Sequence, residues 1–242
     1  MKTCIVIPTY NNSRTVAGVI ESALARCADV IVVVDGADDA TRNAVLSFGD
    51  RIDTICYAPN RGKGYALRTA LRRARERGFD YAVTMDSDGQ HFADDIPLFL
   101  DAVSRRPGPL YVGTRPMDAE NMPAGNTFAN KFSNFWFTVQ TGLRLSDTQT
   151  GFRAYPLATC ADPLTNRYEA ELEMLVRNAW RGLEIVPLEV RVFYAPAGER
   201  VSHFRKGRDF FRISLLNTVL TVAAVLYGWP SMLVHKIAGG GR

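Results

Sequence analysis

The hydrophobic pattern in the first half of the chain changes period at short, regular intervals. Thr3–Pro8, Val30–Asp35, Ile52–Tyr57 and Tyr81–Asp86 are brief, β-branched and almost continuously apolar, as expected of strands covered on both faces of a parallel sheet. Between them the period lengthens. Thr15–Ala25 and Gly64–Arg77 follow helical spacing, and in the second segment Leu67, Ala70, Leu71 and Ala74 share one face while arginines occupy the rest. Ser13 is placed to cap the first of these helices. The series reads βαβαβαβ and predicts an α/β fold with a mostly parallel central sheet flanked by helices. The second half is less regular, with a strand near Leu110–Gly113 and a polar-aromatic helix around Phe128–Gly142. A further helix near Glu169–Arg181 leads into a strand over Glu184–Val190.

Composition adds limits to this picture. At 242 residues, 47% hydrophobic and 22% charged, the chain can fill one large α/β core. Cys4, Cys27, Cys56 and Cys160 have no metal-ligand spacing and read as reduced and buried in a cytoplasmic protein. The first strand begins almost at once, so no cleaved leader is expected.

The formal charge of +4 has a particular placement. Arg191, Arg200, Arg205, Lys206, Arg208 and Arg212 stand against only Glu199 and Asp209, and no charged residue follows from Ile213 to Val234. That uncharged tail approaches the roughly 20 residues that cross a hydrocarbon core. Ser214, Asn217, Thr218, Thr221 and Gly228-Trp229-Pro230 dilute it, so a helix lying on a membrane or docked on the protein is an equal reading. Basic residues before it favour anionic lipid on the cytoplasmic face. The expected division is residues 1–212 as the folded domain and 213–242 as a membrane-associated tail. The arginines at 68, 72, 73, 75 and 77 lack aromatic platforms and read as a solvated helix face, so no nucleic-acid partner is expected.

Polar motifs fall at the C-terminal ends of the strands, where α/β sheets bind ligands. Pro8-Thr9-Tyr10-Asn11-Asn12 follows the first, its proline ending the ladder and Tyr10 available to a base or ribose. Asp35-Gly36-Ala37-Asp38-Asp39 follows the second and is rich in acceptors for ribose hydroxyls or base amines. Asn60-Arg61-Gly62-Lys63-Gly64 follows the third, with glycines for close backbone approach and a lysine that neutralises phosphate. After the fourth comes Asp86-Ser87-Asp88-Gly89-Gln90. Its three hard oxygen ligands suit Mg²⁺ or Mn²⁺ held against a diphosphate, and predict a nucleotide-sugar transferase. An aspartyl phosphotransferase is disfavoured because this pair follows the fourth strand, not the first. A sugar-binding relative without turnover is an alternative.

In order along the chain, these segments resemble glycosyltransferase family 2, and within it the dolichol-phosphate mannose synthase-like group of polyprenyl-phosphate sugar transferases. Val112-Gly113-Thr114-Arg115, Ser146–Arg153 and Glu184–Leu188 extend the resemblance to about residue 210. It implies a GT-A fold, a GDP- or UDP-linked sugar donor, a divalent metal, inversion at the anomeric carbon and a lipid phosphate acceptor. It places Asp86, Asp88 and Gln90 on the metal, Asp88, Arg115 and Arg200 at the reaction, and Pro8, Tyr10, Asn11, Asp35, Lys63, Asp86 and Arg177 around the donor. Arg115, Lys131, Arg200 and Arg205 would hold the acceptor phosphate. Lys131 stands where the family often has arginine, Asn12 where the group commonly has an acid, and the turn after Asp35 is short.

A phosphate acceptor is largely dianionic at neutral pH and attacks without a general base. A hydroxyl acceptor needs one, and Asp147, Glu171 and Glu173 are the candidates. Ordinary helix charge is the competing reading of Glu171 and Glu173, and an Asp147–Arg153 ion pair that of Asp147.

Overall fold

The computed structural model describes residues 1–116, 124–193 and 206–239. Seven strands form one sheet in the order β3-β2-β1-β4-β6-β5-β7. β1 (Thr3–Thr9), β2 (Val30–Asp35), β3 (Asp53–Tyr57) and β4 (Tyr81–Thr84) are the expected parallel group, joined through α1 (Val16–Leu24), α2 (Asp39–Leu46) and α3 (Lys63–Glu76). α4 (Ile96–Arg105) then leads to β5 (Leu110–Thr114), α5 (Ala124–Thr141), β6 (Arg153–Pro156), α6 (Glu169–Trp180) and β7 (Ile185–Glu189). β6 runs antiparallel between β4 and β5, while β5 and β7 are parallel, so the sheet is mixed but mostly parallel.

Alternate strand residues feed two core layers, because successive side chains point to opposite faces. Cys4, Val6, Ile31, Val33, Ala82 and Val112 meet α3 and α6 on one face. Ile5, Ile7, Val32, Val34, Val83 and Tyr111 meet α1 and α4 on the other. The predicted face of α3 is buried as expected, through Leu67, Ala70, Leu71 and Ala74.

Three local expectations are corrected. Ser13 does not cap α1: the N-cap is Thr15, and its hydroxyl donates to the Ser87 carbonyl at 2.7 Å. Pro8 does not end the ladder, which continues through Pro8↔Val33 to Thr9↔Val34. Pairing with β4 has already stopped at Val6↔Thr84, so the side on which proline lacks an N–H has no strand to satisfy. The four cysteines are free thiols, but only Cys4 and Cys160 are buried; Cys56 is exposed because β3 is an edge strand.

The tail is helical. α7 (Lys206–Ala223) passes through a π-helical stretch, Ala224–Gly228, into α8 (Trp229–Gly239). Gly228 and Pro230 therefore do not interrupt it. Gly228 lies against the Trp180 ring, where a β-carbon would collide, and Pro230 occupies the first turn of α8.

Candidate active site

Asp86, Ser87 and Asp88 leave the sheet just beyond β4. Met85 still donates its N–H to the Val6 carbonyl at 2.9 Å, which carries the segment past the strand end. Ser87 is buried and held twice, by Asn12 Nδ2 on its hydroxyl at 2.7 Å and by Thr15 on its carbonyl. Asp88 Oδ1 accepts from the Gln90 N–H at 3.0 Å and tightens the turn. On the far side Thr84 Oγ1 donates to the Gly151 carbonyl at 2.7 Å. Gly151 packs on the Asp86 carboxylate so closely that any β-carbon would strike it.

Lys63 reaches this segment from the start of α3. Its ammonium pairs with Asp86 Oδ1 at 2.7 Å and Glu171 Oε2 at 2.9 Å, the latter from the first turn of α6. The turn that delivers it is built by Asp35. That carboxylate accepts from the backbone N–H of Arg61 at 2.7 Å and of Gly62 at 2.8 Å, and from Asn60 Nδ2 at 2.9 Å. Gly62 sits at φ +100 against the Asn166 carbonyl, a position that a side chain cannot take without strain. Asp35 therefore works as the organiser of the 60–62 turn, with its oxygens directed at protein donors.

Electrostatics follow from this crowding. Burial alone would lower the Lys63 pKa, but the charges of Asp86 and Glu171 overcome it and raise it. Burial would likewise raise Asp86, yet Lys63 above all holds it below the usual carboxylate range. Asp88 has less cationic help: burial and then the Asp86 charge push it up to about 6. Glu171 is raised, chiefly by burial. His91 is buried against Phe152 at 5.1 Å, and burial pushes it down to about 4, so its imidazole is neutral.

The DxD segment fits a divalent cation in one specific sense. No group of three or more His, Cys, Asp or Glu side chains gathers to hold a metal among the described residues. A two-carboxylate and amide set is open and needs ligand oxygens, such as those of a diphosphate, to complete a shell.

Arg115, at the end of β5, is fixed by Asp147. Its Nε donates to Oδ2 at 2.5 Å and its Nη2 to Oδ1 at 3.0 Å, and Asp147 also accepts from Asn130 Nδ2 and the Gln149 N–H. Asp147 is fully buried and held below the usual carboxylate range despite that burial, Arg115 being the foremost cause. The expected Asp147–Arg153 pair is thus replaced. Arg153 instead donates to the carbonyls of Thr148, Thr150 and Glu171, tying the 148–150 loop to α6.

Other expected site residues are dispersed. Asn11, at φ 50, accepts from the Asp38 N–H at 2.7 Å and closes the β1 loop on the start of α2. Tyr10 is half-buried beside it and Pro8 lies inside β1. Lys131 is exposed on α5. The structure does not bring Arg177 to the cluster. It pairs with Glu173, donates to the Asp162 carbonyl, and lines a cavity of about 780 Å³ with Asp80 and Tyr81 at the opposite end of β4. Arg200 and Arg205 lie outside the described residues.

Glu169, Glu171 and Glu173 are all buried, which corrects the reading of Glu171 and Glu173 as ordinary helix charge. α6 is enclosed on nearly every side, and each acid has its own partner: Arg212, Lys63, and the N–H groups of Leu164 and Thr165. An i, i+2, i+4 run of acids has no amphipathic face, so periodicity could not disclose this. The roles of Asn12, Thr15 and Gly151 were also missed, because each depends on a partner more than 60 residues away.

Residues 4–155 match the family described as Glycosyl transferase family 2. The chain belongs to that family. A relative from Methanococcus voltae, a UDP-N-acetylglucosamine–dolichyl-phosphate N-acetylglucosaminyltransferase, is 28% identical over 213 residues, 78% of this chain and 85% of the relative. The undecaprenyl-phosphate mannosyltransferase of Micrococcus luteus is 28% identical over 220 residues, 82% of this chain and 86% of the relative. Among solved structures, glucosyl-3-phosphoglycerate synthase from Mycobacterium tuberculosis, in complex with Mn²⁺, uridine diphosphate and phosphoglyceric acid, aligns with a TM-score of 0.66. Identity is 19%, covering 93% of this chain and 77% of that one. The fold is the GT-A fold, and this family 2 chain is a sugar-transferring enzyme.

Proposed function

We propose that this glycosyltransferase moves a sugar from a GDP- or UDP-linked donor to a polyprenyl or dolichyl phosphate, with a divalent metal and with inversion. The lipid acceptor rests on the named relatives and on one structural observation. Each candidate general base is already committed to a structural partner: Asp147 to Arg115, Glu171 to Lys63, and Glu173 to the 164–165 backbone. A hydroxyl acceptor would need such a base, whereas a phosphate dianion supplies its own nucleophile.

In this reading Asp86, Asp88 and Gln90 hold Mn²⁺ or Mg²⁺ together with the donor diphosphate. The metal, when bound, supplies Lewis-acid stabilisation of the departing diphosphate. Lys63 adds a fixed positive charge beside that group, kept in place by Glu171. Arg115, oriented by Asp147, presents a guanidinium for phosphate, with Arg200, Arg205 and Lys131 as further acceptor cations. An acceptor phosphate oxygen forms the new bond to the anomeric carbon from the face opposite the leaving group. The bond from that carbon to the diphosphate breaks, and its electron pair leaves with the nucleoside diphosphate. No proton moves. Such an acceptor places the work at a membrane surface, and the basic sequence before the tail favours the anionic cytoplasmic face.

A thermal-shift screen of GDP, UDP and their sugars, each with and without Mn²⁺, tests the donor half. A ligand that binds only the folded state raises its stability, by about 2.7 kcal/mol at one hundred times its Kd. The expected result is stabilisation by one base series only when Mn²⁺ is present. Stabilisation by none, or to the same extent without metal, contradicts the proposal.

A further inference from the structure

The helix Phe210–Ala238 is long and apolar enough to cross a membrane, but the way it is held points elsewhere. Its inward face is keyed to the domain from end to end. Arg212 pairs with Glu169, Gln140 Nε2 donates to Asn217, Leu220 and Ala224 join the core, Gly228 seats on Trp180, and Ser231 donates to the Trp180 carbonyl. These contacts run from the first turn almost to the last. No stretch of roughly 20 residues is left to enter hydrocarbon without pulling the domain in as well.

The opposite face is an unbroken apolar row. Phe211, Leu215, Val219, Leu226, Leu233 and Ile237 recur every four or seven residues and are all more than half exposed, Leu226 at 76% and Ile237 at 71%. The row continues onto α5, where Phe132 meets Phe210 at 5.9 Å and Phe135 is exposed. Positive charge stands at both ends of the helix: Lys236 is exposed in its last turn, and the sequence just before the helix is basic. An apolar stripe of this length edged by positive charge matches the boundary between anionic headgroups and acyl chains.

We infer that α7–α8 lies in the plane of an anionic lipid bilayer, as a laterally docked interfacial helix that does not span it. This rests on the lipid-acceptor reading only in that both concern a membrane surface. The docking contacts then fix the orientation of the whole sheet relative to the lipid.

The test uses the full chain with Cys27→Ser and Cys56→Ser, spin-labelled at Leu215→Cys, Leu226→Cys or Ile237→Cys, on phosphatidylcholine–phosphatidylglycerol vesicles. Depth is read from accessibility to oxygen and to a polar nickel chelate. An in-plane helix places all three labels at one shallow depth, about 5–10 Å below the headgroups. A spanning helix, about 33 Å long between Leu215 and Ile237, puts Leu226 at the centre and the other two at opposite faces; that result overturns the inference. So does a soluble dimer that buries the labels and binds no vesicles. Leu226→Glu should weaken vesicle binding roughly tenfold, while transfer to a water-soluble short-chain prenyl phosphate is unchanged. Absence of transfer to any phosphate counts against the proposed function and leaves the depth result standing.

Discussion

Asp88 and Arg115 do opposite things with buried charge. Asp88 is raised from 3.8 to about 6, so the folded state holds its proton more tightly than the unfolded chain does. Its protonation favours the fold below about pH 4, and that contribution is lost as pH rises through about 6. In metal-free buffer Asp88→Asn should therefore be more stable than wild type by about 1–2 kcal/mol at pH 8, with the difference closing near pH 4. The same variant should lose stabilisation by Mn²⁺ with donor. Equal melting curves at pH 8, or retained Mn²⁺-dependent stabilisation, would count against the assignment. Arg115→Ala strands Asp147, fully buried with only neutral donors remaining, and should cost about 3–5 kcal/mol in denaturant unfolding. The simple acceptor-binding role expected from sequence predicts reduced activity with an unchanged unfolding midpoint.

Among elements, the turn before α3 and the tail each hinge on one glycine. Gly62→Ala brings a β-carbon onto the Asn166 carbonyl at positive φ, which should cost about 1–3 kcal/mol and displace Lys63, abolishing donor stabilisation in the thermal-shift assay. Gly228→Leu drives into Trp180 and should free α8, increasing hydrogen exchange over 229–239 while donor binding persists; unchanged exchange there would refute the docking geometry. The parallel group β1–β4 with α1 and α3 was legible because each element carries its own periodicity. One helix and one strand were not, and α2 was legible only as the connection that the alternation requires. α2 buries only Thr41 and Val45 behind an acidic turn, while α4 enters through a polar 3-10 turn and opens with Pro97. β6 is four residues long with a buried arginine, and its place between β4 and β5 is set by pairing partners that no local pattern reveals. In the site, the residue types at strand ends were readable, but the protein partners that fix them were not: Asp35, expected beside the donor, also holds the 60–62 turn through its carboxylate.

For the whole molecule, family and fold follow from motifs kept in order along the chain, while the assignment of acids to structure or chemistry needed the packed arrangement. The sheet edge gathers Asp86 and Asp88 around Lys63, the candidate bases are turned inward, and the apolar tail lies along one side. The central claim is that this edge drives metal-dependent sugar transfer to a phosphate acceptor. The most direct measurement is transfer of radiolabelled sugar, from the donor identified by thermal shift, to a polyprenyl phosphate and to the matching polyprenol, with Mn²⁺ and with chelator, by wild type and Asp88→Asn. Labelled lipid phosphate from wild type with Mn²⁺ alone, nothing from the polyprenol, and at least a hundredfold loss in Asp88→Asn, on the order of 2.7 kcal/mol in the barrier, is the predicted result. Transfer to the polyprenol, or transfer undiminished by chelator or by Asp88→Asn, would contradict it.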